Sequence, residues 1–338
     1  MAFLFILINY FEYINLSKSM SFYNNVKNAS IYIKDHIKKT NLIYSKYFST
    51  LSSNEVYFKL ENTQITGSFK IRGAFNKLLS LSQKEKEKGI ITASTGNHGL
   101  AVAYASNKLN ISCKIYVPNI ASDIKVNKIK KLGSKVIYFG EDCLEAEKKA
   151  RKDSNKEKLA FISPYNDEYV MSGQGTLAVE LIEQIKKLDV VIVSVGGGGL
   201  ISGISKYIKS TWPEIVVVGC SPENSPAMIN SMYSGKILDI KSKPTLSDGT
   251  AGGLEPGSIT FPICCEYIDQ TILVTEDEIK KAMELYYNNE NQIIEGAAGV
   301  AIATFLKIKN HFSEKKIGII ICGGNIDQKS FLSLINAN

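Results

Sequence analysis

Lys70 offers the most chemistry in this chain because of its neighbours, Thr66-Gly67-Ser68-Phe69-Lys70-Ile71-Arg72-Gly73-Ala74. Taken alone, a lysine reads as a solvated surface charge. Here a small polar turn precedes it and an apolar helical stretch follows, a setting in which the amine can point into the protein. Desolvation makes an amine lose its proton more easily and turns it into a nucleophile. That is the state needed for a Schiff base with an aldehyde cofactor.

Three further motifs could cooperate with such a lysine. Gly196-Gly197-Gly198-Gly199 follows an apolar strand and opens a helix at Leu200. Glycines let several backbone N–H groups converge on one anion, and the helix N-terminus adds its positive end. The reading is a phosphate cradle, with a flexible strand-to-helix turn as the alternative. The segment lacks the Gly-x-x-x-x-Gly-Lys-Ser/Thr form of a nucleotide loop. It also lacks the full spacing and the acidic strand end of a dinucleotide site. Ser94-Thr95-Gly96-Asn97-His98-Gly99 likewise joins a strand to a helix. Its hydroxyls, side-chain amide and N–H groups suit a carboxylate and a ring oxygen, or simply cap the helix. His98 by itself reads as structural. Ile317 to Ile321 leads into Cys322-Gly323-Gly324-Asn325. A thiol at the C-terminal end of a parallel strand faces the ligand crevice, although an inert core cysteine fits the same pattern.

The elements that must position these residues alternate. Strand-like runs at 55–60, 90–92, 113–117, 136–139, 159–162, 190–195, 216–220 and 317–321 are interleaved with helical spacing at 21–38, 70–81, 97–109, 123–132, 141–155, 172–187, 200–209, 276–288 and 296–309. Such repetition predicts an α/β fold with parallel sheets covered by helices. Charged stretches at Lys84 to Lys88 and Asp153 to Lys158 are the candidate hinges. They divide the chain into a large domain, 21–87 plus 159–338, and a small domain, 88–158, with residues 1–20 as an extension. A cleft between two such domains is a favoured ligand site.

Composition narrows the function classes. The chain has 338 residues, 44% hydrophobic and 22% charged, with a net charge of +7. This suits about two ordinary globular domains. The lysines are scattered, and no aromatic-interleaved basic stripe appears, so nucleic acid is not expected. The six cysteines form no CxxC pair, which points to a reducing, cytoplasmic setting without disulfides. Three widely spaced histidines give little material for a metal site or a catalytic triad. The apolar run from Met1 to Leu16 has no preceding basic residue, is interrupted by Glu12, and is short for a membrane span. It is expected to be an extension, with Met20 as an alternative start and no membrane partner.

In their order and combination these motifs resemble the pyridoxal-phosphate enzymes of the tryptophan synthase β fold (fold type II), and within them the threonine/serine dehydratase and serine racemase branch. The resemblance spans about Ser21 to Phe331. It implies two domains with twisted, mostly parallel sheets, a pyridoxal 5′-phosphate cofactor, a small amino-acid substrate and a homodimer. It implies that Lys70 carries the cofactor, Phe69 packs beside the ring and Asn97 bonds the ring hydroxyl oxygen. Gly196, Gly197, Gly198, Gly199 and Leu200 would hold the phosphate, Cys322 would meet the pyridine nitrogen, and Glu295 would lie near the ring. Ser94, Thr95, Gly96 and His98 would bind the substrate carboxylate, and Asp248-Gly249-Thr250 resembles the loop beside the substrate. The implied reaction is β-elimination from a 3-hydroxy amino acid, with Lys70 as the base, to a 2-oxo acid and ammonia. Serine racemisation is the alternative, and a non-catalytic binding protein on the same fold is a third reading.

The chain departs from this pattern in places. Racemases of the branch have serine, and common dehydratases alanine, where Thr95 stands. Metal-binding relatives have acidic residues where this chain has Ser221, Ser225 and Ala227, so no divalent cation of that kind is expected. The chain ends before the regulatory domain of the biosynthetic threonine enzymes, so control by isoleucine is not expected. The usual Thr-Pro-Leu reads Thr40-Asn41-Leu42.

Overall fold

The alternation of strand and helix resolves into two sheets in the computed structural model, which describes residues 21–336. The apolar run at 1–16 lies outside the described residues. The smaller sheet holds β3 (Ile90–Ala93), β4 (Cys113–Val117), β5 (Lys135–Tyr138) and β6 (Ala160–Phe161) in the order β5-β4-β3-β6, all parallel. The larger holds β1 (Leu42–Tyr44), β2 (Glu55–Leu60), β7 (Val190–Ser194), β8 (Val216–Pro222), β9 (Gln270–Val274) and β10 (Lys316–Ile321) in the order β1-β2-β10-β7-β8-β9. Only the β1–β2 pair is antiparallel. β7 is buried along its whole length, as expected for a central parallel strand covered on both faces.

The expected small-domain boundary falls one strand short. β6 pairs with β3, Ile90 opposite Ala160, so the small sheet extends past residue 158. Nor are the charged stretches plain linkers. Asp153 to Glu157 is the last part of helix α7 (Cys143–Glu157), which Asp142 caps. Gln83–Lys88 is a short helix closed by a Ser82–Glu85 capping box. The helix expected from 172 starts earlier, as α8 (Glu168–Gln184), because the Asp167 carboxylate takes the N–H groups of Tyr169 and Val170.

The helix carrying Lys70, α3 (Lys70–Ser80), lies between the two layers. Its Ile71, Ala74, Phe75 and Leu78 join Ile90, Ile115 and Val117 in the core of the small sheet. Its polar side enters a buried charge cluster. Arg72 pairs with Glu61 (2.8 Å) and Glu180 (2.7 Å), and Lys59 pairs with Glu180 (2.5 Å). Burial works against the charge on Arg72, but the two carboxylates outweigh it and keep the guanidinium ionised. The cluster ties β2, the turn after it, α3 and α8 together directly behind Lys70.

Candidate active site

Five chain segments meet around Lys70. Phe69 donates its N–H to the carbonyl of Cys322 (3.1 Å), and Ser68 bridges to Gly323, so the lead-in to α3 docks on the end of β10. The Lys70 Nζ lies 5.2 Å from the centre of the Phe69 ring and donates to the carbonyl of Pro164 (2.9 Å). The side chain keeps part of its surface open, yet its amine is enclosed by protein. Burial lowers the amine's pKa to about 8. A negative charge on Cys322 or Glu295 would oppose that shift. Cys322 supplies none at neutral pH, because burial, reinforced by Glu295 and Cys220, pushes its thiol far above the usual range.

Asn97 opens helix α5 (Asn97–Lys108) at the end of β3. Its Nδ2 donates to both oxygens of Glu295 (2.8 and 3.0 Å), and its Oδ1 accepts from Asn325 Nδ2 (2.7 Å). Asn325 also donates its Nδ2 to Thr66 O (2.7 Å) and its N–H to Glu295 (3.1 Å). Asn325 thus joins the lead-in to Lys70, the small-sheet helix and Glu295. Glu295 is buried, and burial lifts its carboxyl to about 7 against the opposing hydrogen bond from Asn97. Ser94, Thr95 and Gly96 lie half-exposed on the same turn, where Ser94 Oγ accepts from Gly96 N–H (3.1 Å). A Cβ on Gly249 would come within 3.6 Å of Glu295 Oε1, so the 248–250 loop closes over the same group.

His98 is turned away. Its Nε2 lies 3.0 Å from both Thr92 Oγ1 and the Ile162 carbonyl, inside the small-sheet core. Burial, with Lys70 adding to it, lowers its pKa to about 3, so the ring stays neutral. Its side chain holds β3, α5 and the end of β6 together. Only its backbone N–H, in the first turn of α5, is left for a carboxylate.

The tetraglycine ends at the start of α9 (Gly199–Thr211). Gly198 has φ +85°, a left-handed conformation natural to glycine, and a Cβ there would lie 2.8 Å from Met228 Cε and 2.9 Å from Cys264 Sγ. A Cβ on Gly197 would run into the Tyr165 ring, and one on Gly199 would lie 2.9 Å from Tyr165 Cα. Thr260 Oγ1 donates to the Gly197 carbonyl (2.7 Å) from the opposite side. Leu200 is buried below the loop.

These residues fit pyridoxal phosphate. A glycine turn at a helix N-terminus suits its phosphate, an enclosed amine near pKa 8 suits its aldehyde, and the buried neutral thiol suits an uncharged ring nitrogen. Sequence reasoning missed Pro164, Tyr165, Thr260 and the linking role of Asn325. The Ser163-Pro164 step at the end of β6 was a legible turn signal. The others act through three-dimensional neighbours and carried no local pattern. At the positions where metal-binding relatives have acidic residues, Ser221 donates to Val195 O (2.7 Å) and Ser225 shares a hydrogen bond with Ser242 (2.7 Å).

Comparison with known proteins places the chain in a family. L-threonine ammonia-lyase of Thermotoga maritima is 40% identical over 312 residues, 92% of this chain and 77% of that protein. Serine racemase of Dictyostelium discoideum is 39% identical over 92% of this chain and 97% of its own. The processed form of threonine deaminase isoform 2 from Solanum lycopersicum superposes with a TM-score of 0.90 at 31% identity, covering 95% of this chain and 94% of that one. The family model described as "Pyridoxal-phosphate dependent enzyme" matches residues 33–323, and the chain belongs to that family.

Proposed function

We propose that this chain releases ammonia from L-threonine, L-serine or a related 3-hydroxy amino acid by β-elimination, leaving the 2-oxo acid. The observation that carries the reading is the Lys70 amine, enclosed and depressed to about 8, on a site whose other walls are the tetraglycine turn and the Asn97–Glu295–Asn325 cluster. Bound pyridoxal phosphate supplies the electron withdrawal that loosens the Cα proton. Lys70 Nζ takes that proton as general base. Asn97 orients the ring edge, with Glu295 and Asn325 fixing its amide. Gly196 to Gly199 and Leu200 would anchor the phosphate, Phe69 would pack beside the ring, and Cys322 would keep the ring nitrogen unprotonated. With that thiol at its nitrogen, a bound ring would be a weak electron acceptor, which would favour loss of the β-hydroxyl over transamination. The turn from Ser94 to His98, largely through backbone N–H groups, holds the substrate carboxylate, and Gly249 closes over the side chain.

The test is a panel of L- and D-serine, L-threonine and bulkier 3-hydroxy amino acids, followed for 2-oxo acid release and for inversion. Lys70→Ala should lose both the visible absorbance of the bound cofactor and oxo-acid release. Absorbance without product from any substrate would favour a binding protein. Racemisation is the second reading, supported by the Dictyostelium relative and by the hydroxyl that Thr95 retains; inverted serine without oxo acid would select it. We place the enzyme in the cytoplasm, which cell fractionation tests, as a homodimer, which light scattering of the purified protein tests. No helix of the described residues is long and apolar enough to cross a membrane.

A further inference from the structure

Glu255 lies outside the groups that touch the cofactor or substrate, yet four side chains converge on it. Arg151 Nη2 on α7 reaches its Oε1 (2.5 Å), Asn166 Nδ2 its Oε2 (2.8 Å) and Ser163 Oγ its Oε1 (3.5 Å), while its own N–H donates to the Tyr165 hydroxyl (2.8 Å). Three of the four belong to the turn that follows β6, and the middle of that turn faces the active site. The Pro164 carbonyl accepts from the Lys70 amine, and Tyr165 lies against Gly197 and Gly199. Asn166 Oδ1 accepts from Ile259 N–H (2.9 Å), which fixes the turn from its far end. Arg151 is itself braced by Glu147 on its own helix and by the Phe161 ring, 4.1 Å from its guanidinium.

We infer that Glu255 is a positioning residue, clamping the Ser163 to Asn166 turn so that Tyr165 covers the tetraglycine and the Pro164 carbonyl holds the Lys70 amine. Through Arg151 the same carboxylate couples the small-sheet helix α7 to the phosphate end of the site. Both Glu255 and Arg151 keep some exposure, so the pair itself adds little to global stability. What the clamp supplies is rigidity in a turn that has no helix or strand of its own. A mobile Tyr165 uncovers the cradle, and the bound phosphate leaves sooner.

The experiment uses the cofactor-loaded full chain and follows loss of its visible absorbance on dilution, beside the melting temperature of the cofactor-free protein. Glu255→Ala is expected to speed cofactor loss about tenfold. Arg151→Ala should do so less, and the double variant should match Glu255→Ala because the two act through one carboxylate. The cofactor-free melting temperature should shift by only a few degrees. Cofactor loss at the native rate in Glu255→Ala overturns the inference. So does a melting temperature that collapses while the folded fraction retains cofactor normally, which would make the residue merely structural. The role of Glu255 rests on reading Gly196 to Gly199 as the phosphate cradle, and Gly198→Ala separates the two. If only the clamp is wrong, Gly198→Ala still weakens retention; if the cradle is wrong, neither substitution does.

Discussion

Lys70 attacks a carbonyl only as the free amine, so its depressed pKa sets when the cofactor can be captured. Below about pH 8 the capture rate of cofactor-free protein should rise about tenfold per pH unit and then level off. Stopped-flow absorbance after mixing with pyridoxal phosphate measures this, and a rise that continues to pH 10 would show an unperturbed, solvated lysine. Glu295 titrates the other way. Its carboxyl is lifted from 4.5 to about 7, so the stability it contributes is present below pH 4.5 and lost as pH rises towards 7. In the cofactor-free state Glu295→Gln escapes that loss. Its stability relative to the native protein should improve across this window by on the order of 3 kcal/mol, read from denaturant unfolding at pH 4.5 and 7.5. A pH-independent difference would place the Glu295 carboxyl in solvent. Lys70 was legible as a residue because four motifs agreed in order. The orientation of His98 was not, since Thr92 and Ile162 become its partners only when β3 and β6 pair.

At the level of elements, periodicity located most strands and long helices to within a few residues. It missed β1, only 3 residues long, the half-buried edge strand β9, and the helices at Lys46–Ser52, whose start depends on a Ser45 cap, Ala227–Ser234, Thr260–Tyr267 and Gln328–Asn336. The placing of β6 failed for a physical reason: a charged helix end reads like a linker, and which sheet a two-residue strand joins is decided by its neighbour. The charge cluster behind α3 left no trace in the sequence beyond separate Lys, Glu and Arg residues. It is where α3 is most sensitive. Arg72→Leu strips the counter-charge from Glu61 and leaves Glu180 with Lys59 alone, and should cost about 3–5 kcal/mol. Urea unfolding checks the magnitude. A loss below about 1 kcal/mol would mean that the cluster is hydrated and does not fix the helix.

For the whole molecule, the alternation of elements predicted parallel-rich sheets covered by helices, and the structure has two such sheets. The site draws on both layers, with Asn97 from the small sheet and Glu295, Asn325 and the tetraglycine from the large one. Its assembly therefore waits until Asn325 has been made. β10 is among the last segments in sequence, yet it sits between β2 and β7 in the middle of the larger sheet. During synthesis, every strand destined for that sheet leaves the ribosome before the one that joins its two halves. Until residue 321 is available, β2 and β7 each present an unsatisfied edge, the kind of surface that invites association with other chains. A chain cut short before residue 316 thus yields not a weakened enzyme but a split sheet, suited to chaperones and proteases and unable to trap the vitamin.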